Sequence, residues 1–122
     1  MLKAARGRWQ NWSNAVANKH DYLARVQVAV SQLHNCGAVY VETVPVHEIF
    51  QGQTVWQGEV EVFDLHNHPK AKRAYAWSHR EGVNDEGERF VTVLEVPPVE
   101  SPVTAVRASI LADRQKRRAK KS

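Results

Sequence analysis

The side chains best suited to chemistry in this sequence are its six histidines. His66 and His68 follow Asp64 in a polar stretch, and the proline after His68 stiffens it. A zinc site needs three or four ligands that converge at about 2 Å. No second spaced pair of ligands accompanies these two histidines in the sequence, so we interpret the stretch as a polar turn. We expect neither a metal nor another cofactor.

A different pair of histidines predicts a small binding pocket. His79 is expected opposite Gly58 on the neighbouring strand, and one register of the first hairpin brings His47 to Gly58 from the other side. Because glycine leaves open space, these residues would form a polar pocket for an anion or for proton transfer. A register shifted by one residue moves His47 to the far face of the sheet. Two solvated surface histidines are then the alternative.

No residue pattern of a known catalytic type is present. Cys36 lies at a predicted helix C-terminus, where the negative end of the helix dipole disfavours a thiolate. Glu59 and Glu61 alternate along one strand and are interpreted as a solvated stripe. The sequence contains no Gly-rich phosphate loop and no Ser-His-acid pattern. We assign no catalytic residue, and a non-enzymatic protein is favoured.

Positive charge is concentrated at the C-terminus. Lys and Arg number 17 and Asp and Glu 13, and every acid lies at or before Asp113. Residues 1–113 carry 11 bases against 13 acids, whereas residues 114–122 carry six bases and no acid. A basic tail is weaker evidence for nucleic acid than a surface that is basic throughout. The sequence predicts one domain over residues 1–113 and a basic tail over residues 114–122.

A second, smaller basic cluster follows His68-Pro69. Together with the tail it would clamp phosphates, in the manner of a non-specific nucleic-acid binder. The alternative is a fraying helix end that its charge keeps soluble. The candidate nucleic-acid-binding residues are Lys70, Lys72, Arg114, Lys116, Arg117, Arg118, Lys120 and Lys121.

Length and composition restrict the class of protein. A chain of 122 residues is one domain by the usual size relation. No apolar run is long enough to span a membrane, and the first eight residues contain no apolar stretch typical of a signal peptide. The single cysteine rules out an internal disulfide. We expect a cytoplasmic protein of bacterial type, with no membrane partner.

The first third of the chain has the apolar spacing of an amphipathic helix. We predict a break near Asn18, a helix over residues 21–35, and Gly37 as its left-handed cap residue. The apolar stripe exceeds what one small sheet can cover, so the surplus is expected to meet a second chain or the C-terminal helix, and a homodimer is favoured. Two rows at heptad spacing form the stripe: Trp9, Val16, Leu23 and Val30, and Trp12, Lys19, Val26 and Leu33.

The middle of the chain predicts four antiparallel strands, over residues 38–50, 54–65, 72–79 and 89–96. Short connections indicate a meander, and Pro45 places the first strand at an edge. Ser101-Pro102 is typical of a helix start. The predicted fold class is α+β, in the order α-β-β-β-β-α. It is a four-stranded antiparallel meander sheet with both helices packed on one face.

The last two hairpins predict a consistent register. They place Val62 opposite Tyr75, Trp77 opposite Val91, and Arg73 between Asp64 and Glu95 as a structural ion pair. The N-terminal helix is expected to cover the resulting apolar face, and the other face to be partly open. The apolar face consists of Trp56, Val60, Val62, Tyr75, Trp77, Val91 and Val93.

Two functional hypotheses follow from these patterns. The first is a small non-enzymatic binding or adaptor protein that meets a protein or a nucleic acid through the basic tail and the open sheet face. The second is a small-molecule or anion-binding domain, with or without enzymatic activity, that uses the region of His47, Gly58 and His79. An exposed flat surface would support the first, and a concave pocket with converging polar groups the second.

Overall fold

The computed structural model describes residues 19–81 and 87–121. Helix α1 covers residues 19–34 of the described part. It is followed by strands β1 (Gly37–Phe50), β2 (Gln53–His66), β3 (Arg73–Glu81) and β4 (Gly87–Leu94), and by helix α2 (Pro102–Lys121). The strands form one antiparallel sheet in the order β1-β2-β3-β4. The predicted fold class and the predicted meander are confirmed.

Helix α1 ends at an asparagine in the left-handed conformation rather than at a glycine. Asn35 adopts a positive φ of 52°, and the Cys36 N–H donates to the Ser31 carbonyl at 3.2 Å. Asparagine tolerates the left-handed conformation that this kind of helix end requires. The prediction that Gly37 is the cap residue is therefore wrong, and Gly37 begins β1.

Only part of the predicted apolar stripe of α1 is buried. Val26 and Val30 are fully buried, and Tyr22 packs beside them. Leu33, which the heptad rows place in the stripe, is 62 % exposed. The buried side chains follow a spacing of four, so the contact stripe is narrower than predicted. Trp9, Trp12 and Val16 of the two rows, and the predicted break near Asn18, lie outside the described residues.

The first hairpin, β1–β2, extends well beyond the residues of β2 that pair with β3. Gln51 and Gly52 connect its strands, with positive φ values of 53° and 75°. Two such residues in a two-residue connection are typical of a type I′ turn. β2 pairs with β3 only over Glu61–Asp64 in the described residues. The end of the hairpin near this turn therefore lies beyond the part of β2 that pairs with β3, and β1 is the edge strand that Pro45 predicts.

The two helices pack on opposite faces of the sheet. Val60 and Trp77 share one face, as predicted, but Ala105 and Val106 of α2 cover it. Helix α1 covers the other face, which was expected to be partly open. Both helices were predicted on one face, and α1 was predicted to cover the face that carries Trp56 and Trp77. This prediction is wrong. The α1 face carries alanines on β3, Ala74 and Ala76, which let a helix backbone approach closely.

Helix α2 begins with reciprocal hydrogen bonds. The Thr104 N–H donates to Ser101 Oγ at 3.2 Å, and the Ser101 N–H donates to Thr104 Oγ1 at 2.9 Å. Pro102 occupies the first helical position, where its missing N–H has no helical acceptor. The predicted helix start at Ser101-Pro102 is confirmed.

Replacement of the cap residue tests how α2 is held. Ser101→Ala removes the acceptor of the Thr104 N–H, and we expect it to lower the free energy of unfolding by about 1 kcal/mol. Ser109→Ala, inside the same helix, is the matched control and should change it by less than about 0.5 kcal/mol. Urea denaturation measures both variants, and equal effects would contradict the capping role.

Candidate functional site

The predicted histidine pocket is not assembled in the register observed. Val46 lies opposite Gly58, and His47 lies opposite Gln57. His47 is therefore on the α1 face of the sheet and Gly58 on the α2 face. The His47 ring makes a hydrogen bond of 2.6 Å to Thr54 Oγ1 at an exposed position. His79 belongs to β3, which pairs with β4 at this position, and its side chain lies outside the described part.

The space above Gly58 is filled by an indole ring. A Cβ atom on Gly58 would lie 3.1 Å from Trp56 Cη2. The ring of Trp56 meets that of Trp77 edge-on, with centroids 5.5 Å apart. Gly58 thus allows Trp56 to lie flat along its own strand and complete the core under α2. The glycine serves packing here, where the sequence predicts open space for a ligand.

The two basic clusters lie at opposite ends of the first hairpin. Lys70 and Lys72 are exposed in the loop after His66, which pairs with Gly37 at the start of β1. Arg114 contacts Phe50 at the other end of β1, with its guanidinium carbon 5.9 Å from the ring centroid. A strand of 14 residues is about 45 Å long. One phosphate clamp made from both clusters is therefore excluded by distance.

The loop that carries Lys70 and Lys72 is organised by His68. Its Nδ1 accepts the backbone N–H groups of Lys70 and Ala71, both at 3.0 Å. Nδ1 accepts only when it carries no proton, so the loop conformation requires the tautomer protonated at Nε2. His68 is committed to the backbone of its own loop.

A second histidine meets His68 from helix α1. The rings of His34 and His68 are nearly perpendicular, with centroids 6.1 Å apart, and His34 Nε2 lies 2.5 Å from Thr92 Oγ1. Burial, and then the electrostatic effect of the neighbouring His68 ring, lower the pKa of His34. The pair links the end of α1 to the loop and to β4. Among the described residues, no group of three or more His, Cys, Asp or Glu side chains is arranged to hold a metal ion.

The predicted ion pair at Arg73 forms with one of its two acids. Arg73 Nε donates to Asp64 Oδ1 at 3.1 Å, and both side chains are more than a third exposed. Glu95 instead accepts a hydrogen bond from the hydroxyl of Tyr75. Burial and this hydrogen bond raise the pKa of Tyr75, which therefore remains a donor. Exposed pairs such as Arg73–Asp64 contribute about 1 kcal/mol or less.

Glu61, interpreted from the sequence as part of a solvated stripe, is completely buried. Lys19 Nζ donates to it at 2.8 Å from the start of the described part of α1. Thr43 Oγ1 lies 2.9 Å from both carboxylate oxygens. Because the single hydroxyl proton of Thr43 points to the carboxylate, the Tyr40 hydroxyl, 2.7 Å away, donates to Thr43.

Each member of the Glu61 cluster has a partner. Burial alone lowers the pKa of Lys19, but the hydrogen bond and charge of Glu61 outweigh it and raise that pKa, so the ammonium group stays charged. Among the described residues, no buried side-chain nitrogen or oxygen lacks a hydrogen-bond partner. A closed, fully paired carboxylate has no open position for a substrate, so we assign this cluster a structural role.

The remaining candidate site lies where α2 passes the end of the first hairpin, with Arg107 and Phe50 open to solvent. The Arg107 guanidinium donates to the Glu48 carboxylate, and seven residues later Arg114 covers Phe50. Helix α2 therefore runs along β1 toward its end and continues to Lys121, about 10 Å further. We call residues 49–55 the hairpin tip and residues 114–121 the basic helix end.

The predicted basic tail is thus a continuation of α2. The sequence identified its charge but placed it on a tail outside the domain. What the sequence did not reveal is the position of the hairpin tip beside it, because that depends on the face on which α2 packs.

In the described part of the chain, no helix has both the length and the apolarity that crossing a membrane requires.

Comparison with known proteins gives no match, since no protein-family model, no curated protein and no solved structure is similar to the chain.

The buried cluster generates a stability prediction. Thr43→Val removes a hydrogen bond to a buried carboxylate, and we expect it to lower the free energy of unfolding by about 1.5–3 kcal/mol. Thr54→Val removes a hydrogen bond at an exposed position of the same hairpin and should cost less than about 0.5 kcal/mol. Urea denaturation at pH 7 compares the two variants. Equal losses would contradict the role of Thr43.

The histidine pair generates a pH prediction. Since the pKa of His34 is lowered on folding, the unfolded chain binds a proton more readily than the folded one. The contribution of neutral His34 to the free energy of unfolding is complete above about pH 6.5 and is lost as the pH falls below that value. His34→Gln should therefore reduce the drop in urea midpoint between pH 7.5 and pH 5.5. His47→Gln is the control and should leave the drop unchanged, and an undiminished drop in His34→Gln would refute the assignment.

Proposed function

We propose that the protein is a non-enzymatic binding protein whose basic helix end contacts the phosphate backbone of a nucleic acid without sequence specificity. The observation that carries the proposal is that α2 continues past the hairpin tip as a helix. Six of its last eight residues are basic, and no acid follows Asp113. The charge is therefore held on a regular element rather than on a flexible tail.

The density of this charge suits a polyanion. Eight helical residues span about 12 Å, so the six bases lie on average about 2 Å apart along the axis. Duplex DNA carries one phosphate per roughly 1.7 Å. Stabilisation of the helix dipole needs cations only in the last turn, and the basic segment is two turns long.

The hairpin beside the basic helix end carries little negative charge. Glu48 is the single acid in the half of the hairpin from Val44 to Gln57, and Arg107 already pairs with it. Lys70 and Lys72 lie at the far end of the hairpin and form no part of the proposed contact. A protein partner with an acidic surface would meet the same charges and would also be weakened by salt, so binding to duplex DNA itself is the measurement that tests the proposal. The histidine pocket is not retained, because His47 and Gly58 lie on opposite faces.

Binding to immobilised duplex DNA at a series of salt concentrations tests the proposal. We expect the logarithm of the binding constant to fall with the logarithm of salt concentration with a slope approaching about −5, as six phosphate contacts require. A chain that ends at Asp113 should lose binding. It should keep its fold, because the buried residues of α2, Ala105 and Val106, precede that point.

The matched control for this test is the double variant Lys70→Ala/Lys72→Ala, which removes two exposed bases at the other end of the hairpin. It should bind with unchanged affinity and nearly unchanged slope. Equal retention of the full chain and the chain ending at Asp113 would refute the proposed contact. Loss of binding in the double variant alone would move the contact to the loop after β2.

A further inference from the structure

The hairpin tip exposes apolar side chains beside the basic helix end. Ile49 is 59 % exposed and Phe50 55 %. Val55 on the returning strand and Leu111 on α2 are 41 % and 58 % exposed. Because side chains alternate along β1, Ile49 lies on the α1 face of the sheet. Phe50, which contacts Arg114, and Leu111, which lies between Arg107 and Arg114 on α2, form the apolar surface beside the basic helix end. Phosphate contacts alone do not explain this surface.

The tip presents Phe50 in a defined position. The tight turn at Gln51 and Gly52 follows it directly, with both residues in the left-handed conformation that a type I′ turn needs. Arg114 lies against the ring at 5.9 Å from its centroid, within the range of a cation–π contact. The aromatic ring and the first base of the helix end therefore form one unit, and more than half of the phenylalanine remains open to solvent.

This combination distinguishes between forms of nucleic acid. In a duplex the faces of the bases are stacked on one another, and phosphates form the outer surface, so an apolar tip gains nothing there. In a single strand the base faces are open, and an aromatic side chain beside cationic groups stacks on them while the phosphates are neutralised. Stacking of one base on one aromatic ring commonly changes affinity by a factor of about 5 to 100.

We infer that the hairpin tip selects single-stranded over duplex nucleic acid, with Phe50 stacking on a base whose neighbouring phosphates lie against Arg114 and the rest of the basic helix end. This inference rests on the proposed function and adds the class of nucleic acid to it. Leu111, one helical turn before Arg114, enlarges the apolar surface on which the base and its sugar lie.

Fluorescence anisotropy of the full chain with a labelled oligothymidine of 20 nucleotides, and with a duplex of equal length, tests the inference. Phe50→Ala should weaken binding to the single strand by about 5- to 100-fold and binding to the duplex by less than about 2-fold. Phe50→Trp keeps a stacking surface and should retain the affinity for the single strand. Leu33→Ala removes an equally exposed apolar side chain from α1 and should leave both affinities unchanged.

The outcomes separate this inference from the proposed function. If both oligonucleotides bind equally and Phe50→Ala has no effect, the tip is not the selecting element, while the phosphate contact stands. If neither oligonucleotide binds at low salt, the proposed function fails and this inference with it. Vesicles that contain phosphatidylserine form a parallel arm. Binding to them that depends on Phe50 and exceeds binding to the oligothymidine would identify the tip as a lipid contact and overturn the inference.

Discussion

The register of β1 on β2 is the constraint on which the other features depend. Because side chains alternate between faces, the pairing of Val46 with Gly58 directs Glu48 toward α2 and Thr43 toward α1. A shift of one residue would exchange these faces along the whole edge strand. It would remove the Thr43 hydroxyl from the buried Glu61 and separate Glu48 from Arg107, so the core and the position of α2 would be lost together.

The same register explains how a long hairpin is stabilised where β2 no longer pairs with β3. β3 supports β2 only over Glu61–Asp64, and past that point α2 supplies the packing partner through Val106 and its neighbours. The helix has to follow the hairpin toward its end in order to cover it. The basic helix end is therefore positioned by the packing of apolar side chains, and a change in that packing would displace the proposed binding surface.

The features that were predictable from sequence are those fixed by local patterns. Alternating apolar residues and short turns predicted the pairing of Trp77 with Val91, Pro45 predicted an edge strand, and Ser101 predicted a helix cap. The face that each helix covers was not predictable, because both helices carry an apolar stripe and either helix could cover a given face of the sheet. The burial of Glu61 escaped prediction because its main partner, Lys19, lies 42 residues away in the sequence.

The distribution of charge along the chain would orient the molecule as it approaches a polyanion. Several acids of the body are neutralised internally, Glu61 by Lys19 and Glu48 by Arg107, whereas the acids end at Asp113 and the bases continue. A slightly acidic body joined to a strongly basic helix end is a dipolar molecule, which approaches a polyanion with that end first. At physiological ionic strength such steering is screened within about 8 Å. Affinity then depends on short-range contacts at the basic helix end, and the net charge of +4 alone says little about it.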